Sequence, residues 1–273
     1  MLKIGLKPVG MRLAQTRPRL SAIRLASSKA SNQNEQVADV SKMPLKTVPV
    51  LAKFYVPPEL LKAPILKWFG LIRRRMFLFL VNTMQVRRFK SETKLKVTFN
   101  DWKEEAIEKF VKTNKVFANA CNAPLEKRAG IIEDGLRFTC GQFMEGILKS
   151  RVARFPVNYK LKWELVDVMT NPKVEGFYVI PDTNDASALI QLVVNVTTKQ
   201  KVTVQKPGNQ LEEKETISND HLVYGIDPFS KEMYFIGKLF PSGLDEGVHP
   251  DPDGSVADQL AFSKKAADIF RSE

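Results

Sequence analysis

From residue 59 onward the chain carries regular alternations of apolar and polar positions, and their period falls from 3.6 to 2 near Pro156. Ile65, Trp68, Phe69, Ile72, Met76, Phe79 and Leu80 recur at steps of three and four, which predicts an amphipathic helix over residues 64–90 with a wide apolar face. Asn100 or Asp101 opens a second helix, where Glu104 and Glu105 suit the positive end and Trp102, Ala106, Phe110 and Phe117 face inward. Pro124 sits early in the first turn of a third helix, which the pattern through Ile131, Gly135, Phe138, Phe143 and Ile147 carries to Arg151.

Beyond Pro156 the period falls to two. Tyr159, Leu161, Trp163 and Leu165 alternate with Lys160, Lys162 and Glu164, the pattern of a strand with one buried face. Further strands are predicted over residues 176–180, 188–205, 212–226 and 233–240, with Lys206-Pro-Gly-Asn209 and Asp227-Pro-Phe-Ser230 as turns. Helices followed by four or five strands on short connections specify an α+β fold, N-terminal helices packed on a curved antiparallel sheet. Residues 241–254 read as loop, and residues 255–270 as a short amphipathic helix carrying Leu260, Phe262, Ala266 and Phe270.

Charge divides the chain differently. The whole sequence has 42 basic and 30 acidic side chains, a net charge of +12. Its first 90 residues hold 18 basic and 3 acidic ones, so the remaining 183 are net −3. A basic N-terminal third is joined to a near-neutral domain. Within that third, residues 1–34 have seven basic residues, no acidic one and several serines, which reads as a mitochondrial presequence. Residues 35–58 lack a period and contain Pro44, Pro49, Pro57 and Pro58, so they read as a linker or extended arm able to lie along another surface.

Residues 59–90 combine the strongest cationic cluster with a dense aromatic run. The longest uncharged stretch, residues 76–86, is too short to cross a hydrocarbon core, which requires about 20 residues. Three readings are open. The helix lies on an anionic membrane surface with Trp68 and Phe69 inserted and arginines reaching phosphates; or its cations bind structured RNA; or its apolar face belongs to the domain core. Lys67, Arg73, Arg74, Arg75, Arg87, Arg88 and Lys90 are the candidate rRNA- or lipid-binding residues, with Lys67 and Arg74 opposite the apolar face.

Catalytic chemistry is sparse. Two cysteines, Cys121 and Cys140, exclude a disulfide framework, and with only His221 and His249 beside them no metal-ligand spacing emerges. Both cysteines are expected to be small buried residues in a reducing compartment. Asp251-Pro-Asp253-Gly lacks the closing ligands of a calcium loop and reads as a turn. No phosphate loop or nucleophile elbow is present, no metal or other cofactor is expected, and Tyr159, Asp167 and His221 are the candidates an enzyme of this architecture would use.

Several segments, taken in order, resemble a known family. Pro57-Pro-Glu-Leu-Leu61, the helix with Trp68-Phe69 and Arg73-Arg-Arg75, the Trp102 helix, Pro124-Leu-Glu126, Arg151-Val-Ala-Arg154 and Leu161-Lys-Trp-Glu-Leu165 together resemble the fungal mitochondrial inner-membrane ribosome receptors. Their animal counterpart is a protein of the mitoribosomal large subunit. The resemblance covers roughly residues 55–240 and leaves the C-terminal helix outside it. It implies a non-enzymatic, peripheral protein on the matrix side of the inner membrane, with a domain similar to the C-terminal domain of the import-motor tether. It also implies as partners the mitochondrial ribosome large subunit and its rRNA, an Oxa-type insertase, anionic inner-membrane lipid and nascent membrane proteins. The rivals are a subunit or tether of the protein-import machinery and a small-molecule enzyme of similar shape.

Overall fold

A computed structural model describes residues 43–271, apart from 52–53, 183, 185, 209 and 249–255. The presequence and the Asp251–Gly254 turn therefore fall outside the described residues. Five helices, α1 (Ile65–Thr93), α2 (Phe99–Asn122), α3 (Leu125–Leu136), α4 (Gln142–Arg154) and α5 (Val256–Ala267), surround five strands, β1 (Lys160–Val168), β2 (Lys173–Pro181), β3 (Ser187–Lys206), β4 (Gln210–Asp227) and β5 (Glu232–Leu239). The α+β architecture expected from the sequence is the one observed.

The sheet is antiparallel throughout and built around the long β3–β4 hairpin. β3 pairs with β1 along its C-terminal half and with β2 along its N-terminal half, while β5 pairs only with the C-terminal half of β4. Register shifts at Leu165/Asp167, Val174/Gly176 and Val223/Tyr224 are bulges, and bulges bend and twist the strands that carry them. β1 and β2 end the sheet on one side and β5 on the other, and the outer backbone of β2 and of β5 is blunted. Asn82 of α1 accepts from the Phe177 N–H and donates to the Glu175 carbonyl on β2. On β5, Phe235 exchanges backbone bonds with Thr139 and Gly141.

That second contact explains why the single helix expected over residues 124–151 is two. Cys140 forms a β-bridge with Phe235, so the chain at residues 137–141 must leave the helix to reach the sheet edge. A Cβ on Gly141 would sit 3.0 Å from the Ile236 side chain. At the start of α2, no side chain caps the helix, which begins at Phe99 with Thr98 preceding it.

Both faces of the sheet are buried. Ile190, Leu192, Val194, Val196, Tyr224 and Phe235 face α2, α3 and α4. Leu189, Val193, Val223 and Ile236 face the other way, and what covers them is residues 45–51 and 54–56 together with α5. The described part of the proline-containing arm is therefore a strap, with Leu45, Val48, Val50, Phe54 and Val56 packed on the sheet. Its backbone is satisfied by side chains of the domain. Gln191 accepts from the Leu51 N–H and donates to the Pro49 carbonyl, Ser263 donates to the Val50 carbonyl, and Val56 donates to Ser242 Oγ.

The C-terminal segment reaches both layers, with Phe262 and Ala266 on the strap side and Ala267, Ile269 and Phe270 on the side of α2–α4. A Cβ on Gly237 would lie 2.6 Å from the Ala266 carbonyl, so α5 meets β5 where no side chain intervenes. Arg151 holds Asp268 through two bonds of 2.6 Å, and Phe270 packs at 4.3 Å from Phe117.

Candidate functional site

α1 is 29 residues long, which at the standard rise makes a rod of about 43 Å. Only Leu71, Leu78 and Phe89 of its side chains are buried, and they share one face. Asn82 and Glu92 lie near that face, bonded to β2 and to Ser187 at the start of β3. The domain therefore takes up the side of the helix away from the wide apolar stripe. Ile65, Phe69, Ile72, Met76, Phe79 and Leu80 face outward, 79, 80, 44, 63, 69 and 56 % exposed. This overturns the reading in which that stripe belongs to the core. Leu61, Leu66 and Met84 enlarge the outward surface.

The seven candidate cations separate into two groups. Lys67 pairs with Asp245 at 2.7 Å, Arg74 donates to the Leu244 carbonyl, and Arg75 donates to the Pro58 carbonyl at 2.6 Å. These three fasten α1 to the loop after β5 and to the end of the strap. Burial pushes the phenol of nearby Tyr55 up, against the opposing charges of Arg74 and Arg75. Arg88 pairs with Glu92 at 2.7 Å. Burial alone would raise the Glu92 carboxyl, but bonds from Ser187 and Arg88 hold it below its ordinary value.

Arg73, Arg87 and Lys90 are exposed, and no ion-pair partner faces them among the described residues. Arg87 and Lys90 continue the line of the apolar stripe, in steps of three and four through Leu80 and Thr83. Of the two aromatics proposed to touch a membrane, Phe69 points outward. Trp68 is half-buried and donates its indole N–H to the Ala63 carbonyl at 3.0 Å.

The enzyme candidates are not brought together. Asp167 sits at the β1 bulge and accepts from its neighbour's N–H. Tyr159 packs against Phe155. His221 is buried on β4 with Nδ1 2.7 Å from Glu175 Oε2 and 3.0 Å from Asn195. Asp220, beside His221 in sequence, pairs instead with Lys238. Both thiols are buried, and burial raises Cys121 to about 11 and Cys140 to about 12, which removes their nucleophilic form at neutral pH. The space between sheet and helices is filled by Phe110, Trp163, Tyr224 and Phe235, with the Tyr224 hydroxyl donating to the Ala106 carbonyl. An open cleft of about 660 Å³ lies between α2, α4 and β1, lined mainly by Phe117, Ile147, Phe155, Trp163 and Phe270. Among the described residues no cluster could hold a metal ion, and no helix is long and apolar enough to cross a membrane.

Two features of this region leave no mark in the sequence pattern. The loop at Leu244 and Asp245 gives no periodic signal that it clamps α1. Arg128, 1 % exposed, donates to the carbonyls of Ala123, Val152 and Phe155, closing the ends of two helices from a position that reads as a surface cation.

Comparison with known proteins places these surfaces in a family. One curated relative, the mitochondrial inner membrane mitoribosome receptor MBA1 of Saccharomyces cerevisiae, is 24% identical over 231 residues, spanning 81% of this chain and 78% of that protein. The model of the MBA1-like protein family matches residues 34–273, beyond the expected limits of 55 and 240 at both ends, and so takes in the strap and α5 that cover the second sheet face. A match of that extent means that the chain belongs to the MBA1-like protein family.

Proposed function

We propose that this protein is a mitoribosome receptor held peripherally on the matrix face of the mitochondrial inner membrane, where it binds the large subunit near the polypeptide exit. The observation that carries the reading is the family match over residues 34–273, every layer of the folded unit included. The yeast relative, an inner membrane mitoribosome receptor, supports the ribosome and the compartment. The absence of a membrane-crossing helix among the described residues suits peripheral attachment, and Arg73, Arg87 and Lys90 suit a phosphate-bearing partner.

Such a receptor works without chemistry. Holding the exit close to an Oxa-type insertase converts capture of a nascent apolar segment from a bimolecular encounter into a local one, with an effective concentration set by geometry. Nascent membrane proteins are then the cargo, and exposure of their apolar segments to water is shortened. The protein acts as an adaptor rather than an enzyme.

Co-sedimentation of the purified chain with mitochondrial large subunits over rising salt tests the reading. A receptor tracks the large subunit at low salt and is released as salt screens its charged contacts. A component of the import machinery would not track the subunit at any salt.

A further inference from the structure

α1 presents an outward surface that the fold does not use. A helix lying in a membrane interface needs a continuous apolar face and cations beside it, and it must be fixed to the domain by its other side. α1 meets each requirement. Its stripe from Ile65 to Leu80 runs for about 23 Å. Arg73 flanks that stripe and Arg87 and Lys90 extend it. Glu92 is the one acidic residue of the helix, and it is turned toward Ser187 and Arg88.

We propose that α1 lies in the plane of an anionic lipid surface, with Ile65, Phe69, Ile72, Met76, Phe79 and Leu80 in the boundary between headgroups and acyl chains and the N-terminal end seated deeper than the C-terminal end. The setting rests on the receptor reading, but the geometry of the contact does not. Its partner is lipid rather than RNA because Lys67, Arg74, Arg75 and Arg88 are engaged within the protein, and the outward face they leave is apolar along most of its length. Phosphate-backbone binding needs cations where those apolar side chains stand.

The depth gradient follows from the order of residues along one line. Apolar positions occupy that line from Ile65 to Leu80, and Leu66, 98 % exposed, thickens its N-terminal end. Thr83, Arg87 and Lys90 then occupy the same line, where side chains reach back to headgroup phosphates. Asn82 and Glu92 fix the other side of α1 to β2 and β3, so the contact sets the orientation of the whole domain. Strands stack away from the bilayer in the order β2, β3, β4, β5, which leaves β5 and the α3–α4 turn on the matrix side.

Flotation of the full chain with vesicles tests this. Wild type should float with phosphatidylcholine vesicles containing cardiolipin. F69S/F79S should lower its partition about 100-fold, two large apolar side chains having been withdrawn from the boundary. R73E/R87E should lose binding to the anionic vesicles while changing little on pure phosphatidylcholine. A thiol-linked fluorophore at F69C should be quenched by acyl-brominated lipid more strongly than one at R87C, since the native thiols are buried. Failure of wild type to float, full binding by F69S/F79S, or equal quenching at the two positions overturns the proposal. So does an F69S/F79S chain that still floats but no longer sediments with large subunits, which assigns the face to the ribosome. Loss of flotation with ribosome binding intact supports it. A wild-type chain that floats but never tracks the subunit removes the receptor reading and leaves this one standing.

Discussion

α1 and α2 are both long amphipathic helices, and the domain treats them in opposite ways. α2 buries Ala106, Phe110, Phe117, Ala118 and Cys121 beneath the sheet, so its apolar stripe faces the core and its charges face water. α1 turns its stripe outward and buries Leu71, Leu78 and Phe89, which lie among its cations. Periodicity identifies an apolar face but not what covers it. The sequence does hold a clue: α1 is apolar on both sides, and a helix with two apolar faces needs two partners, of which the domain supplies one.

This contrast can be broken most severely from the core. Phe235→Ala empties a site of 0 % exposure beside Tyr224 and Phe110 and should cost about 4 kcal/mol in denaturant unfolding. Arg128→Met leaves three carbonyls at helix ends without their donor and should cost about 3 kcal/mol by the same measurement. Leu45→Ala tests whether the strap belongs to the fold; about 2 kcal/mol is expected, and no loss would make the strap a passive linker.

Smaller effects sharpen the account of α1. Glu92→Gln weakens the tie to Ser187 and Arg88 by about 0.5 kcal/mol, since the carboxylate is partly solvated. Because the folded-state carboxyl is held below its ordinary 4.5, the unfolded chain takes up the proton first. The contribution is full above the ordinary value and is lost as pH falls through the folded one, so thermal melts of wild type and E92Q should converge in acid. Smallest of all, F69S/F79S should change stability by no more than about 0.5 kcal/mol, since neither ring is part of the core. A loss comparable to that of Phe235→Ala would return the stripe to the core.

Much of the fold was legible because its strands announce themselves. The alternation around Trp163 marked β1, and the β-branched run at residues 189–196 marked β3, whose observed span is Ser187–Lys206. That same unbroken run signals a strand buried on both faces, yet the second cover was not legible. Residues 45–51 and 54–56 touch the sheet through scattered positions between prolines, and bonds from Leu51 and Val50 run to Gln191 and Ser263, more than a hundred residues away. The break between α3 and α4 was hidden for a similar reason, since it is imposed by Phe235 of β5. Of the site, the cations and the helix were legible, but which cations the loop at Leu244 and Asp245 would occupy was decided by tertiary contact.

What the outward face of α1 touches in the organelle is read by photo-crosslinking from residues 69 and 76 of the full chain in intact mitochondria. A lipid contact gives phospholipid adducts from both positions; rRNA adducts in their place would exclude it.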